Sequence, residues 1–389
     1  MNILFNATPL LTPLTGIGQY VLQLFSELNK KPNIQLYAYY PFGLKKGFFL
    51  PTFNESKAED SFKNNIKKNA VRFLTKIPFQ RDLRHFLEPL VFQHRVQNLP
   101  KNTIYHEPSY VCFPFEHAKA ATICDLSTFD CPEFHPVSRV RFLEKGLPKT
   151  LETAEKIFVI SQFTKQRLAH WFSVPDNKIV CTYLAARAAF HPRTEMACQS
   201  ALQKYNLKSK SYVLSIGTLE PRKNLTRLFE AFALLPSTLR KCYPLAIAGK
   251  EGWHEKGLIR AAQILEEKGE LRFLGFVPDS DLPFLLNAAA AFAYPSIYEG
   301  FGLPVLEALA SGTPTVASNA TSIPEVAGDA ALLHAPEDVE SLKNHLQHIL
   351  ENKALADSLA KKGLEQAQKF SWAKCAEDTA AAYADILPC

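Results

Sequence analysis

No apolar run in these 389 residues reaches the ~18 needed to cross a bilayer as a helix. The opening Met-Asn-Ile-Leu-Phe-Asn enters a strand-like run with no basic segment ahead of it, so no secretory leader is expected. Both absences point to a cytoplasmic protein. The eight cysteines (112, 124, 131, 181, 198, 242, 375 and 389) form no C-x-x-C pair and meet no His at zinc-site spacing. Neither a structural metal nor a disulfide is expected, and in a reducing compartment such cysteines are small buried hydrophobes or free thiols. Repeats of solenoid length and low-complexity tracts are also missing. Gly16-Ile-Gly18 continues Gln-Tyr-Val, with no small residue at the third position of a dinucleotide fingerprint. That weighs against a nicotinamide-dependent oxidoreductase.

Excess charge is missing from most of the chain. The formal net charge is +6, and the stretch 57–101 holds ten Lys or Arg against four acids, which accounts for all of it. Phe62, Ile66, Phe73, Leu74, Phe79, Phe86 and Phe92 interleave with those cations, a basic amphipathic pattern suited to an anionic membrane surface. The same aromatics can equally be core. No recognition signature accompanies the basic stretch, so nucleic acid is not expected as a partner.

What is present is β/α alternation. Strand-like runs at Ile3 to Phe5, Ile34 to Tyr39, Thr103 to His106, Ala121 to Ile123 and Ile157 to Ile160 make one half, with an amphipathic helix from about Gly18 to Asn29. Runs at 212–216, 244–248, 271–276, 291–294 and 314–317 make the other, with helices between them and late helices near 337–351 and 354–368. The spacing implies two parallel sheets. Phe190-His-Pro192 interrupts regular structure, which puts the crossing within 183–196.

The most informative segment is Tyr298-Glu-Gly-Phe-Gly-Leu-Pro-Val-Leu-Glu-Ala308, a strand end, a glycine turn and a helix start. Gly300 and Gly302 let the backbone turn sharply, and the N–H groups at the helix start can hold a phosphate without a metal. Glu307 lies about a turn and a half into that helix, placed to accept hydrogen bonds from a ribose diol. Glu299 sits in the loop above it, within reach of a sugar. A capped turn with solvated glutamates would explain either carboxylate alone. A second segment shifts the balance: Gly217-Thr-Leu-Glu220-Pro-Arg222-Lys223-Asn224 brings two adjacent cations to a strand end, where open α/β sheets collect ligands. Arg supplies a planar fork and Lys a compact charge, so together they suit a diphosphate.

Glu220-Pro-Arg-Lys-Asn224, the Glu299-x7-Glu307 spacing, Gly312-Thr-Pro-Thr-Val316 and Ser322-Ile-Pro-Glu-Val326 together resemble a retaining GT-B glycosyltransferase of family 4. Gly16-Ile-Gly-Gln-Tyr20, Ile123-Cys-Asp-Leu126, Glu133-Phe-His-Pro136 and Val159-Ile-Ser-Gln-Phe163 extend the likeness into the N-terminal half. The resemblance implies two Rossmann-like domains facing a cleft. An acceptor domain would span 1–188 plus a returning helix at 371–389, and a donor domain 189–370. It implies that Arg222 and Lys223 contact the donor diphosphate, Glu307 the ribose and Glu299 the transferred sugar. The backbone of Phe301 to Leu303 and the loops at Gly16, Gly18, Gly217 and Gly300 would lie near the phosphates, and Ser161 would face the cleft.

One position departs from the pattern. The family commonly has His-Asp where this chain has Cys124-Asp125, and a thiol donates hydrogen bonds poorly. The role passes to Asp125 or to His106, or turnover is slower, or the sugar lacks the relevant hydroxyl. Asp279-Ser-Asp281 has the D-x-D spacing of metal-dependent transferases. After Val277-Pro278 and before Leu282-Pro-Phe it reads as a helix N-terminus, with Asp279 or Ser280 as the cap. No metal or other cofactor is then required.

The expected function is transfer of mannose or a deoxymannose such as rhamnose from a GDP-sugar to a lipid-linked saccharide in surface polysaccharide synthesis. A UDP-sugar donor, a non-catalytic nucleotide-sugar binder and an oxidoreductase are the alternatives.

Overall fold

The computed structural model describes residues 1–11, 14, 16–47, 79–249 and 256–386, with the backbone alone for 79–87 and 256–261. The first sheet contains β1 (Asn2–Asn6), β2 (Gln35–Tyr40), β3 (Gly43–Lys46), β4 (Thr103–Glu107), β5 (Lys119–Ile123), β6 (Lys156–Val159) and β7 (Ile179–Cys181). Its spatial order is β3-β2-β1-β4-β5-β6-β7, parallel except for β3, which pairs antiparallel with β2. β3 is a four-residue edge strand with two lysines and no apolar alternation, so composition does not announce it. Helices that matter below are α1 (Gly16–Leu28), α2 (Phe79–Val96) and α3 (Gln162–Trp171).

The second sheet is built from β8 (Val213–Ile216), β9 (Leu245–Ala248), β10 (Leu271–Gly275), β11 (Ala291–Tyr294), β12 (Thr315–Ser318) and β13 (Leu332–His334). Its order is β10-β9-β8-β11-β12-β13, all parallel. Order reverses beside β8, so the ends of β8 and β11 are neighbours with helices leaving to opposite sides, which leaves a crevice between them. Those helices are α4 (Leu225–Ala233) after β8 and α6 (Leu303–Ala310) after β11, with α5 (Leu282–Ala288) between them in sequence. Beyond them come α7 (Ile323–Ala327) and the closing helix α8 (Trp372–Ala384).

Central strands are apolar on both faces, as parallel strands covered by helices must be. Ala291 to Tyr294, Leu245 to Ala248 and Ile157 to Val159 are all buried. α8 returns to the first sheet, packing on α1 and β6. There the Tyr383 hydroxyl meets His106 Nδ1 in the interior, and Ser371 caps the helix by accepting from Lys374 N at 3.1 Å.

Of the basic stretch 57–101, residues 57–78 lie outside the described residues. In α2, Phe92 and Val96 are buried, with the Phe92 ring 4.9 Å from Tyr39 and 4.8 Å from Tyr105. Phe92 is therefore core. Leu90 and Val91 face outward from the same helix, while Arg95 turns inward and donates to Tyr40 O at 3.1 Å.

Candidate active site

The connection after β8 is a short 3₁₀ turn, Pro221–Lys223, followed by Asn224 in the left-handed region at φ 57°. Asn224 holds that conformation by donating from Nδ2 to Pro295 O at 3.0 Å and Pro336 O at 2.7 Å. The turn is also tied to the loop after β11: Ile297 N and Ser296 Oγ both donate to Arg222 O, at 2.8 and 3.0 Å. These bonds bring two segments 74 residues apart in the chain into one loop cluster.

Lys223 Nζ donates to Glu299 Oε1 at 2.6 Å and to the Tyr294 hydroxyl at 2.8 Å. The same Oε1 accepts from Ser296 Oγ at 2.6 Å and Tyr294 OH at 2.9 Å. Arg222 lies 3.2 Å from Glu299 Oε2 and 2.7 Å from Glu220 Oε1. Burial alone would raise the Glu299 carboxyl, but Lys223 and Arg222 outweigh it and hold it at about 2. Burial lowers Lys223, as does Arg222 beside it. For Arg222 burial pulls down while Glu299 and Glu220 push up and prevail. Within the protein, Glu299 is thus the carboxylate that both cations share. Held by Ser296 and Tyr294 and paired with Lys223 and Arg222, Glu299 anchors both cations.

Glycines near this cluster are set by close backbone passage. A Cβ on Gly249 would lie 1.9 Å from Gly217 O, where the ends of β8 and β9 converge. Gly217 itself has φ 154°, and a Cβ there would press on the Lys223 stem at 3.3 Å. A Cβ on Gly300 would lie 2.0 Å from Cys124 O and 2.9 Å from Asp125 Cβ. The backbone crossing Gly300 in this structure belongs to the opposite domain. Gly302, at φ 102°, is the N-cap of α6, which opens on Leu303 and Pro304, and Phe301 just before the cap is buried.

Across the seam, the Tyr298 hydroxyl donates to Asp130 Oδ2 at 2.7 Å, and Thr164 Oγ1 donates to Gly300 O at 3.3 Å. Glu325, at the start of α7, accepts from Gln162 N and Phe163 N at 2.8 and 2.6 Å. A carboxylate from one domain thereby caps a helix of the other, with its charge at the positive end of the α3 dipole. The Ser322-Ile-Pro-Glu-Val326 motif pointed here; its use as an interdomain cap was not readable from spacing.

Several expectations need correction. His106 does not reach the cleft: it is fully buried, stacked between Phe5 at 4.8 Å and Phe158 at 5.1 Å, with Nε2 2.7 Å from Thr122 Oγ1. Burial drives its imidazole down to about 3. It stays neutral and joins β4 to α8. Ser161 is also fully buried; its Oγ accepts from Thr164 N at 3.0 Å, capping α3. Gly16 and Gly18 are the first turn of α1 rather than a loop. Gly18 is small because Pro9 O would lie 3.0 Å from a Cβ.

Asp279 and Ser280 do not cap α5. Asp281 takes the cap position without a side-chain cap bond, and its Oδ2 is held by Lys204 Nζ at 2.6 Å and Tyr205 OH at 2.8 Å. Asp279 instead accepts from Gln19 Nε2 at 2.6 Å and pairs with Arg187 at 3.1 Å. Long polar side chains from other elements outcompeted the local cap.

Cys124 lies buried, its Sγ 3.9 Å from Pro108 O, and burial pushes the thiol up. Asp125 Oδ1 accepts from Ser127 N at 3.0 Å and Ser127 Oγ at 2.7 Å. His135 Nε2 lies 2.9 Å from Ser127 Oγ, which links His135 to Asp125 through one hydroxyl. Burial and then Arg139 lower the His135 imidazole, and the charges of Arg222 and Glu220 also act on it from the other domain. His135 stood in a motif of the sequence, yet only the fold turns it toward the cations.

Paired cations at a sheet switch point, a glycine-begun helix beside them and a second domain across the seam are the arrangement expected from the motifs. The family model for glycosyl transferases group 1 matches residues 199–366. O-antigen chain mannosyltransferase B of Escherichia coli is 38% identical over 384 residues, covering 98% of this chain and 99% of that protein. The chain is a group 1 glycosyltransferase. Solved structures share its GT-B fold: WaaG, a glycosyltransferase involved in lipopolysaccharide biosynthesis, superposes with a TM-score of 0.72 at 15% identity, covering 99% of each chain. Sucrose-phosphate synthase from Thermosynechococcus elongatus gives 0.73 at 19% identity, over 99% of this chain and 98% of that one. No helix among the described residues of this glycosyltransferase is long and apolar enough to cross a membrane.

Proposed function

We propose that this glycosyltransferase moves mannose, or a deoxymannose such as rhamnose, from a GDP-sugar to a lipid-linked saccharide during O-antigen-type surface polysaccharide synthesis. The observation that carries the reading is the full-length likeness to an O-antigen chain mannosyltransferase. Residues 1–188 with 371–389 form the acceptor side and 189–370 the donor side. Arg222 and Lys223 take the donor diphosphate, Glu307 the ribose, and the N–H groups opening α6 a phosphate oxygen. Glu299 holds the two cations in place beside the transferred sugar. Asp125, relayed through Ser127 to His135, serves the acceptor side where Cys124 replaces the family's histidine.

Transfer then retains configuration, the acceptor oxygen entering on the face the diphosphate leaves. The bond from the anomeric carbon to the diphosphate oxygen breaks, a bond to the acceptor oxygen forms, and the departing phosphate oxygen takes the acceptor proton. Charge grows on the diphosphate as it leaves, so the fixed cations act most strongly in the transition state. The positive field comes from side chains and a helix start, so chelator should leave turnover intact, and manganese-rescued loss would overturn this assignment.

The enzyme works at the cytoplasmic face of the membrane, where a lipid-linked acceptor is presented, with the basic stretch 57–101 facing the anionic surface. The deciding assay offers GDP-mannose, GDP-rhamnose, UDP-glucose and UDP-N-acetylglucosamine with a lipid-linked acceptor and measures released nucleoside diphosphate. Release from a GDP-sugar alone supports the proposal. Release from a UDP-sugar alone replaces the donor, and no release with any donor ends the enzymatic reading.

A further inference from the structure

Arg187 lies in the crossing between the two sheets, a segment in which the sequence reading marked no functional residue. Its guanidinium is divided between two carboxylates: Nε donates to Glu307 Oε1 at 2.6 Å, and NH1 stands 3.1 Å from Asp279 Oδ1. The Phe190 ring lies 4.7 Å beneath the guanidinium carbon. Asp279 is itself held on its other oxygen by Gln19 of α1, one residue beyond Gly18. A continuous polar chain thus runs from the first helix of one domain, through Asp279 and Arg187, to the buried Glu307 of the other.

We propose that Arg187 is the positioning residue for the donor ribose, holding one oxygen of Glu307 so that the other is aimed at the ribose diol. This rests on the assignment of Glu307 to the ribose made above. Among the described residues no hydrogen bond is made to Glu307 Oε2, which is the oxygen left for a ligand. Planarity matters here, because a guanidinium can face two carboxylates at once and a lysine ammonium matches only part of that geometry. Burial raises the Glu307 carboxyl and Arg187 opposes the rise. Without the guanidinium, Glu307 would sit beside Asp279 with no cation between them, would take up a proton more readily and would lose an acceptor for the second ribose hydroxyl.

Calorimetry tests this with four probes, GDP, UDP and the 2′,3′-dideoxy form of each, on the wild type, Arg187→Ala, Arg187→Gln and Arg187→Lys. The wild type should bind the ordinary nucleotide at least about tenfold more tightly than its dideoxy form, a pair of hydrogen bonds to a charged group. Arg187→Ala and Arg187→Gln should lose most of that ratio while binding the dideoxy form as the wild type does, and Arg187→Lys should keep part of it. Thermal unfolding identifies any variant that fails to fold, in which case the remaining two decide. A wild-type ratio preserved in the folded Ala or Gln variant overturns the role of Arg187 and leaves the ribose site standing. A wild type that does not distinguish the two forms overturns the assignment of Glu307, and the inference falls with it.

Discussion

Glu299 is buried, negatively charged and shared by two cations, so each residue of the trio changes the others. Replacing Arg222 or Lys223 by Ala should lower kcat by at least about a hundredfold, the scale of removing a group that stabilises a leaving charge. Steady-state kinetics with kcat and KM resolved would show it, and near-normal turnover in both variants would remove them from the site. Glu299 also sets an acid limit on stability. Its carboxyl falls from an ordinary 4.5 to about 2 on folding, so the folded state binds fewer protons. Its contribution is then complete above about 4.5 and is lost as pH falls toward 2. Glu299→Gln should flatten the dependence of the unfolding midpoint on pH in that window. An unchanged slope would mean that Glu299 is not ionised against the pair. That Arg222 and Lys223 stand side by side at a strand end, and that Glu307 lies on the helix after the glycine turn, was legible because residue type and spacing place them there. Arg187 and His135 were not, since each owes its position to a partner far away in the chain.

At the scale of elements, the two glycines of the turn before α6 have different reasons: Gly302 turns the backbone in the left-handed region, while the Cβ position of Gly300 is filled by the carbonyl of Cys124 from the other domain. Gly300→Ala should therefore hold the seam apart: small-angle scattering should give a larger radius of gyration than the wild type, with turnover falling and far-UV circular dichroism unchanged. A compact, active variant would show that the backbones separate easily. Strand existence was readable wherever a run was apolar throughout, because strands of a covered parallel sheet leave no polar face. It failed at β3 and β13, an edge strand with two lysines and a three-residue strand ending in a histidine, where pairing rather than composition decides. The D-x-D segment failed for a related reason: Arg187, Gln19, Lys204 and Tyr205 reach it from elsewhere and replace the local cap.

In the whole molecule, α8 locks the first sheet through a histidine that the sequence offered as a catalytic candidate. Tyr383→Phe would leave His106 Nδ1 buried without its partner, an expected loss of about 1–3 kcal/mol in unfolding free energy. Denaturant titration checks it, and an unchanged midpoint would mean that His106 has another partner in solution. The basic stretch 57–101 gives the whole chain a means of meeting an anionic surface. The full chain should float with vesicles of phosphatidylglycerol but not phosphatidylcholine, and salt of a few hundred millimolar should release it as screening shortens the reach of its lysines. Equal flotation with both lipids would point to apolar insertion instead. Period, run length and residue chemistry belong to the chain itself, so the α/β class, the two sheets, the family and the cation pair were all determined by sequence alone. Which glycine meets which carbonyl, which histidine is buried and which arginine grips Glu307 were decided only by tertiary structure, because each depends on groups brought together from distant parts of the chain.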